Sequence, residues 1–244
     1  MTEADISAGE AALSADGLHT YYGGAHILAD LSFRLGDGEV VVLLGRNGAG
    51  KTTTMKSVMG LVRIRAGAVH LSGADITGQE PHVIARAGMG YVPEDRRVFA
   101  ELTVMENLEV GRQPARDGAP IWTPERLFDV FPNLAEMRNR PGGRMSGGEQ
   151  QMLTLARTLM GNPKVLLLDE PSEGLAPVIV DQMASTIQAL KAEGLSILLS
   201  EQNLHFATTV SDRAYIIEKG RIRYQGAMAA LAEDEEVRNT YLTV

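Results

Sequence analysis

The chain has 244 residues, of which 44% are hydrophobic, and a formal net charge of −8. This length suits one α/β domain with a smaller lobe, and the apolar content is sufficient for a sizeable core. The negative charge argues against broad nucleic-acid binding, which depends on basic side chains that neutralise phosphates. Because the sequence contains no cysteine, disulfides, thiolate metal sites and cysteine catalysis are excluded.

The first residues are small, polar and acidic, and we expect residues 1–12 to form a flexible tail. The N-terminus has neither the basic start nor the apolar stretch of a signal peptide. The longest apolar runs, such as residues 40–44 and 165–168, have the length of strands and could not span a bilayer. A role at a membrane would therefore depend on partners that span it.

Short apolar runs alternate with helical patterns, which predicts a mainly parallel sheet with helices on both faces. The predicted strands are residues 40–44, 89–92, 164–168, 196–199 and 214–218. The alternation stops at residues 95–160, where helical patterns broken by prolines predict an inserted helical lobe that ends with a helix near residues 148–160. We therefore assign residues 13–94 and 161–225 to an α/β core and residues 226–244 to a C-terminal helical extension.

Residues 45–52 match the P-loop pattern G-x-x-x-x-G-K-[ST]. Its glycines let backbone N–H groups point at anionic oxygens, and the helix that opens near Lys51 adds the positive end of its dipole. We expect Lys51 to reach the β- and γ-phosphates of ATP and the Thr52 hydroxyl to bind Mg²⁺. A chance glycine-rich turn is the alternative, but a predicted strand precedes the motif and a helix follows it. The predicted ATP-binding residues here are Gly45, Arg46, Asn47, Gly48, Ala49, Gly50, Lys51, Thr52 and Thr53.

Two carboxylates, Asp169 and Glu170, follow another apolar strand. Asp169 is placed to hold Mg²⁺ through water, and Glu170 could orient or deprotonate the attacking water. A solvated strand end is the alternative reading, which the P-loop in the same chain disfavours. The P-loop, Glu94, the acidic pair and Gln202 all follow predicted strands, so we expect them at one edge of the sheet, where open α/β sheets bind ligands.

The sequence Met-Ser-Gly-Gly-Glu-Gln-Gln at residues 145–151 has the spacing of a capping box, with Ser146 three residues before Glu149. On this motif the chain resembles the ABC ATPase family, whose hallmark is Leu-Ser-Gly-Gly-Gln/Glu, although Met145 replaces the usual leucine. The resemblance implies the ABC ATPase fold, with an N-terminal antiparallel β portion. It also implies a head-to-tail dimer, in which the signature closes over ATP held by the partner's P-loop. The residues expected to act in trans are Ser146, Gly147, Gly148 and Glu149.

Other positions refine this resemblance. Tyr22 lies where the family stacks an aromatic ring on adenine, although it could be an ordinary surface tyrosine. Glu94 replaces the usual loop glutamine and Gln202 the usual switch histidine, while the loop at residues 171–177 lacks the usual aspartate. With the ending at residues 237–242, these features resemble the second ATPase of bacterial branched-chain amino-acid importers.

By this resemblance, Glu170, Gln202 and Glu94 are the expected catalytic residues, and Thr52, Asp169 and Glu94 the expected metal-binding residues. ATP and Mg²⁺ are the expected cofactors. The expected partners are two membrane permease subunits, a sister ATPase or a second copy of the chain, and indirectly a periplasmic solute-binding protein, with no nucleic acid. The expected location is the cytoplasmic face of the bacterial inner membrane.

Three other readings remain open. Related urea and amide importers share much of the pattern. A soluble ABC ATPase acting on nucleic acid or ribosomes is disfavoured by the single cassette and the acidic charge. A metabolic P-loop kinase would have no use for the motif at residues 146–149. Glu94 and Gln202 could also mark a degenerate site, but Lys51, Thr52, Asp169 and Glu170 are intact, and His205 lies too late to serve as the switch residue.

Overall fold

The computed structural model of the protein describes residues 11–242. The strands of this range are β1 (Leu13–Tyr22), β2 (Ala25–Leu35), β3 (Val40–Leu44), β4 (Ile64–Leu71), β5 (Ala74–Asp75), β6 (Met89–Val92), β7 (Val165–Asp169), β8 (Ser196–Glu201), β9 (Arg213–Glu218) and β10 (Arg221–Ala227). Its helices are α1 (Lys51–Val58), α2 (Pro81–Ala87), α3 (Val104–Gly111), α4 (Pro124–Val130), α5 (Pro132–Glu136), α6 (Gly147–Leu159), α7 (Pro177–Ala192), α8 (Leu204–Val210), α9 (Met228–Glu233) and α10 (Glu235–Tyr241).

The central sheet has the strand order β10-β9-β3-β8-β7-β6. Each pair of neighbouring strands is parallel, except that β9 and β10 are antiparallel to each other. The five predicted strands are all present, and their ends differ from the prediction by at most two residues. β3 is fully buried, with alternate residues packing into two separate apolar clusters on opposite faces of the sheet. This explains why its sequence is continuously apolar rather than alternating. The mainly parallel α/β fold is confirmed.

A second, antiparallel sheet has the order β2-β1-β4-β5, which confirms the N-terminal β portion. Its apolar face and helix α1 share one core with the central sheet, built around Leu18, Phe33, Met55 and Leu167. Residues 1–10 of the expected tail lie outside the described residues. Ala11 and Ala12, which belong to the expected tail, are buried instead, so the packed part of the chain begins before β1.

Helices α3 to α6 lie between β6 and β7, in the segment where we predict a helical lobe. Helix α6 packs against α3, and its buried face carries Met152, Leu155, Ala156 and Leu159, as the helical pattern predicts. The lobe shares an apolar cluster with the other face of the central sheet, so no gap in packing separates the two. The helical prediction near residues 148–160 is confirmed, with each end one residue earlier. Lobe and sheet therefore meet through a continuous core.

Candidate functional site

The parallel register brings the carboxyl ends of neighbouring strands together. Leu44 pairs with Glu201, Asp169 with Ser200, and Val92 with Leu168. The loops that follow β3, β6 and β7 line a cavity of about 450 Å³, whose lining includes Tyr22, Thr52, Glu94 and Glu170, whereas Gln202 in the loop after β8 is not part of the lining. Predicted residues from four separate parts of the sequence thus lie around one cavity at the expected edge of the sheet.

The P-loop leads directly from β3 into α1. Gly50 precedes the helix with a φ of 116°, a left-handed conformation that favours glycine, and it has no side chain to cap the helix. Gly45 passes so close to the backbone oxygen of Ile217 that any Cβ atom would collide with it. Lys51 is buried, and its Nζ atom donates to the carbonyl oxygens of Gly45 at 2.7 Å and Arg46 at 3.3 Å. The loop is therefore shaped to hold an anion at the start of α1.

Asp169 is held by three hydroxyl groups. The hydroxyls of Thr52 and Ser200 donate to its Oδ1 atom at 3.0 and 2.7 Å, and the Tyr91 hydroxyl donates to Oδ2 at 3.0 Å. Burial and the negative charge of Asp169 raise the pKa of Tyr91, so this hydroxyl stays protonated and keeps donating. Hydroxyl and carboxylate oxygens are the ligands that Mg²⁺ prefers, so the pair of Thr52 and Asp169 fits this ion.

Glu170 stands between a cation and an amide. Its Oε1 atom lies 3.1 Å from Lys51 Nζ, and its Oε2 atom accepts from Gln202 Nε2 at 2.6 Å. Burial raises its pKa, but hydrogen bonds from Glu173 and Gln202 and the charge of Lys51 outweigh burial, so the pKa of Glu170 is lowered. Its φ of 48° is uncommon for a residue with a side chain, and such strain is typical of functional sites. Glu170 is therefore an ionised carboxylate held in a fixed orientation.

The Ser146 region, at the start of α6, does not line this cavity. The predicted capping box is present: Ser146 N–H donates to Glu149 Oε2 at 2.7 Å, and Glu149 N–H donates to the Ser146 hydroxyl at 3.4 Å. A Cβ atom on Gly148 would come within 2.9 Å of the Ile179 side chain, and one on Gly147 would meet the flexible guanidinium end of Arg96. The start of α6 therefore carries small residues, with the Arg96 guanidinium and the Ile179 side chain beside them.

The ABC transporter family model matches residues 28–173. The chain belongs to the ABC transporter ATPases. It is 42% identical over 231 residues to the high-affinity branched-chain amino acid transport ATP-binding protein BraG of Pseudomonas aeruginosa, covering 94% of this chain and 99% of that protein. It is 37% identical over 233 residues to the lipopolysaccharide export system ATP-binding protein LptB of Haemophilus influenzae, covering 94% and 96%. The ADP conformation of an ATP-binding cassette from an ABC transporter superposes with a TM-score of 0.79 at 26% identity, covering 93% of this chain and 96% of that one.

These similarities confirm the family resemblance and identify an ATP-hydrolysing enzyme of the kind that works with membrane permease components. Within residues 11–242 of this ABC ATPase, every helix is too short or too polar to cross a bilayer. His205 is exposed on α8, as expected for a helix-surface histidine.

Sequence reasoning missed four residues of this ABC ATPase site. Tyr91 and Ser200 donate hydrogen bonds to Asp169. The buried Glu201 accepts from the backbone of Ser172, in the loop after β7, and of Gln202, in the loop after β8. Glu173 lines the cavity beside Glu170, and its pKa is raised to about 7, first by a hydrogen bond with Glu170, then by burial and by the charges of Glu170, Glu94 and Glu201. Their position in the sequence could have indicated them, because each residue lies in or just after a strand that ends at the site.

Glu173→Gln should flatten the dependence of stability on pH. The pKa of Glu173 rises from its ordinary value of 4.5 to about 7 in the folded chain. Stability associated with its protonated form is therefore fully present below the unfolded pKa and is lost as pH rises through the folded pKa. We expect the melting temperature to fall less between about pH 5.5 and about pH 8.5 in the variant than in the unmodified chain. Glu193→Gln, which changes an exposed ion pair with Arg126, is the control, and identical pH profiles for all three proteins would contradict the prediction.

Proposed function

We propose that this ABC ATPase is the motor subunit of an importer for branched-chain amino acids, coupling ATP binding and hydrolysis to uptake. The observation that carries the proposal is the 42% identity to BraG, which extends over nearly the whole of both chains. BraG is an ATP-binding protein of high-affinity branched-chain amino acid transport. The loops at Glu94, residues 171–177 and Gln202 support the same assignment.

Export of lipopolysaccharide is the second candidate function. The 37% identity to LptB covers as much of this chain as the similarity to BraG does. The two candidates share the ATPase chemistry and differ in solute and direction. Import of urea or amides belongs to the same group of alternatives, because those importers share much of the sequence pattern. A soluble ABC ATPase without a permease is disfavoured by the acidic charge of the chain.

In the proposed reaction, ATP lies against the P-loop with its adenine stacked on Tyr22, which is 48% exposed at the end of β1. Thr52 and Asp169 would hold Mg²⁺, which neutralises phosphate charge when bound. Lys51 exchanges the Glu170 carboxylate for phosphate oxygens. The released Glu170 orients the attacking water and accepts its proton. Gln202, which donates to Glu170 in this structure, is then able to donate to the γ-phosphate.

Glu94 is proposed to take part in the reaction beside Glu170 and Gln202, and not to mark a degenerate site. It is exposed and lines the same cavity as Thr52 and Glu170. A carboxylate at this position can approach Mg²⁺ and the attacking water with a full negative charge. A second ATPase subunit, either a sister chain or another copy of this chain, would complete the ATP site in trans. Its Ser146, Gly147, Gly148 and Glu149, at the start of α6, would face the γ-phosphate, as the family resemblance implies.

A groove between the sheet and the helical lobe is proposed to receive a cytoplasmic segment of a permease. The groove has a volume of about 610 Å³, and its lining includes the exposed side chains of Leu61, Phe99 and Val110. The loop from Glu94 to β-bridge residue Thr103 runs from the ATP cavity to this groove. Exposed apolar side chains in a groove are typical of a protein interaction site.

The loop beside the groove is held firmly by Asn107, a buried residue of α3. Asn107 Oδ1 accepts from Phe99 N–H at 2.9 Å, and Nδ2 donates to the carbonyl oxygens of Phe99, Leu102 and Thr103, each at 3.0 Å. Arg157 stacks on the Phe99 ring at 4.9 Å and also donates to the carbonyl oxygen of Arg97. A segment that presses on Phe99 would therefore contact a rigid loop connected to Glu94.

The docking proposal predicts a crosslink from Phe99. Because the chain has no cysteine, Phe99→Cys introduces one defined thiol on a side chain that is 47% exposed. We expect this variant to crosslink to a cysteine in a permease cytoplasmic loop within the assembled transporter. Val178→Cys is the matched control, because Val178 is 66% exposed but lies outside the groove. Crosslinks that form only from Val178, or only from the C-terminal helices, would contradict docking in the groove.

The transport proposal is tested by reconstituting the chain with its permease subunits in vesicles. Leucine presented with a solute-binding protein should stimulate ATP hydrolysis and accumulate in the lumen, and both effects should disappear with Glu170→Gln. Stimulation by lipopolysaccharide instead of leucine would favour the export candidate. Stimulation by urea or amides alone would reassign the solute while leaving the import mechanism intact.

A further inference from the structure

Glu201, the last residue of β8, is buried with an exposed fraction of 2%. Its Oε1 atom accepts from Ser172 N–H at 3.0 Å. Its Oε2 atom accepts from the N–H groups of Gln202 at 3.1 Å and Asn203 at 3.3 Å. One buried carboxylate therefore joins the loop that follows β7 to the loop that follows β8.

Burying this carboxylate is costly, and burial raises the pKa of Glu201, although its hydrogen bonds from Ser172, Gln202 and Asn203 act in the opposite direction. The strand itself does not require a charge there, because Glu201 pairs in register with the apolar Leu44 of β3. What the carboxylate adds is a set of three hydrogen bonds from backbone N–H groups to a charged acceptor. Glu201 therefore fixes the position of the loop after β7 relative to the loop after β8.

Both loops carry side chains that contact Glu170. Gln202, whose N–H group is held by Glu201, donates its own side-chain amide to Glu170 Oε2 at 2.6 Å. Glu173, which follows the held residue Ser172, shares a hydrogen bond with the Glu170 carboxyl. The loop after Glu170 and the neighbouring loop at Gln202 are thus both held by Glu201, a residue that does not line the ATP cavity.

We infer that Glu201 is a positioning residue for ATP hydrolysis, which fixes Gln202 and the loop after Glu170 relative to the Glu170 carboxylate. The inference rests on the proposed roles of Glu170 and Gln202. Displacing a catalytic group by about 1 Å can slow a reaction about a hundredfold. The phosphate-binding contacts of Lys51 and the P-loop do not involve Glu201, so hydrolysis depends on it and ATP binding does not.

Glu201→Gln tests this directly, because it keeps the shape of the side chain but replaces one acceptor oxygen by an NH₂ group. That group faces a backbone N–H, so one of the two loops loses its anchor. In the full-length chain we expect kcat for ATP to fall about tenfold or more, while the Kd for ATP changes by less than about twofold. Glu218→Gln is the matched control, because Glu218 also ends a strand but pairs with the exposed Arg223.

A double-mutant cycle separates positioning from general stability. If Glu201 acts through Gln202, the effects of Glu201→Gln and Gln202→Ala on kcat should combine to less than their product. An unchanged kcat in Glu201→Gln would overturn the inference, and so would parallel losses of kcat, ATP affinity and melting temperature. Should Glu201→Gln fail to fold, Glu201→Asp, whose shorter side chain retains the charge, is judged by the same criteria. Normal turnover in Glu170→Gln would instead reject Glu170 as the base. The contacts of Glu201 would then have no role in catalysis.

Discussion

Glu170→Gln is expected to bind ATP but to hydrolyse it at least about a hundredfold more slowly, the scale of losing general-base assistance. The substitution keeps the size of the side chain and its place beside Gln202, since an amide oxygen still accepts a hydrogen bond. It removes the negative charge that pairs with Lys51 at 3.1 Å, which leaves Lys51 free for phosphate. ATP affinity should therefore be maintained, and an ATP-bound dimer should persist.

The measurements are steady-state hydrolysis, equilibrium ATP binding and the oligomeric state in the presence of ATP. Glu193→Gln is a suitable control, because that glutamate forms an exposed ion pair with Arg126 and lies outside the ATP cavity. Near-normal turnover in Glu170→Gln would remove Glu170 from the catalytic role. Loss of ATP binding would show that its carboxylate shapes the P-loop rather than the reaction.

Lys51→Ala is expected to weaken ATP binding by about a hundredfold, and hydrolysis at low ATP concentration should fall at least as much. A hydrogen bond to a charged group contributes about 1.5–3 kcal/mol, which corresponds to roughly 10- to 150-fold in affinity. Lys51 is buried at the start of α1 and donates to two P-loop carbonyl oxygens, so its removal also loosens the loop. The unpaired Glu170 would add a repulsive charge near the phosphates.

Lys56→Ala provides the matched control for Lys51→Ala. Lys56 belongs to the last turn of the same helix and is only partly buried, so the control removes a positive charge from α1 without touching the P-loop. ATP affinity should be measured directly by titration, together with the melting temperature of each variant. Equal affinity in Lys51→Ala and Lys56→Ala would reject the phosphate-binding role of Lys51.

Much of the site could be predicted because its signals are local in the sequence. The P-loop glycines, the acidic pair and the capping box of Ser146 and Glu149 each lie within a few residues of one another. β3 and β7 were recognisable because burial on both faces makes their sequences continuously apolar. The shared edge followed from the common direction of parallel strands.

The contacts of Tyr91, Ser200 and Glu201 could not be predicted in the same way, because they depend on which strands are neighbours. The sheet places β8 between β3 and β7, although β8 follows both in the chain. Only this order brings Ser200 against Asp169 and Glu201 against the loop at Ser172. The antiparallel strands were equally hard to locate, because register shifts in β1 interrupt the alternation of its buried and exposed residues.

Because Asn107 holds the loop by its backbone, the position of the loop and the side-chain surface of the groove can change independently. Asn107 fixes the backbone of the loop at Phe99, Leu102 and Thr103, while the exposed side chains of Leu61, Phe99 and Val110 form the surface of the groove. Substitutions on that surface alter which partner sequence fits, but they leave the frame of the loop intact. In the docking mode proposed above, a lineage could therefore exchange one permease for another by mutations on that surface, while the backbone that links the groove to Glu94 is inherited unchanged.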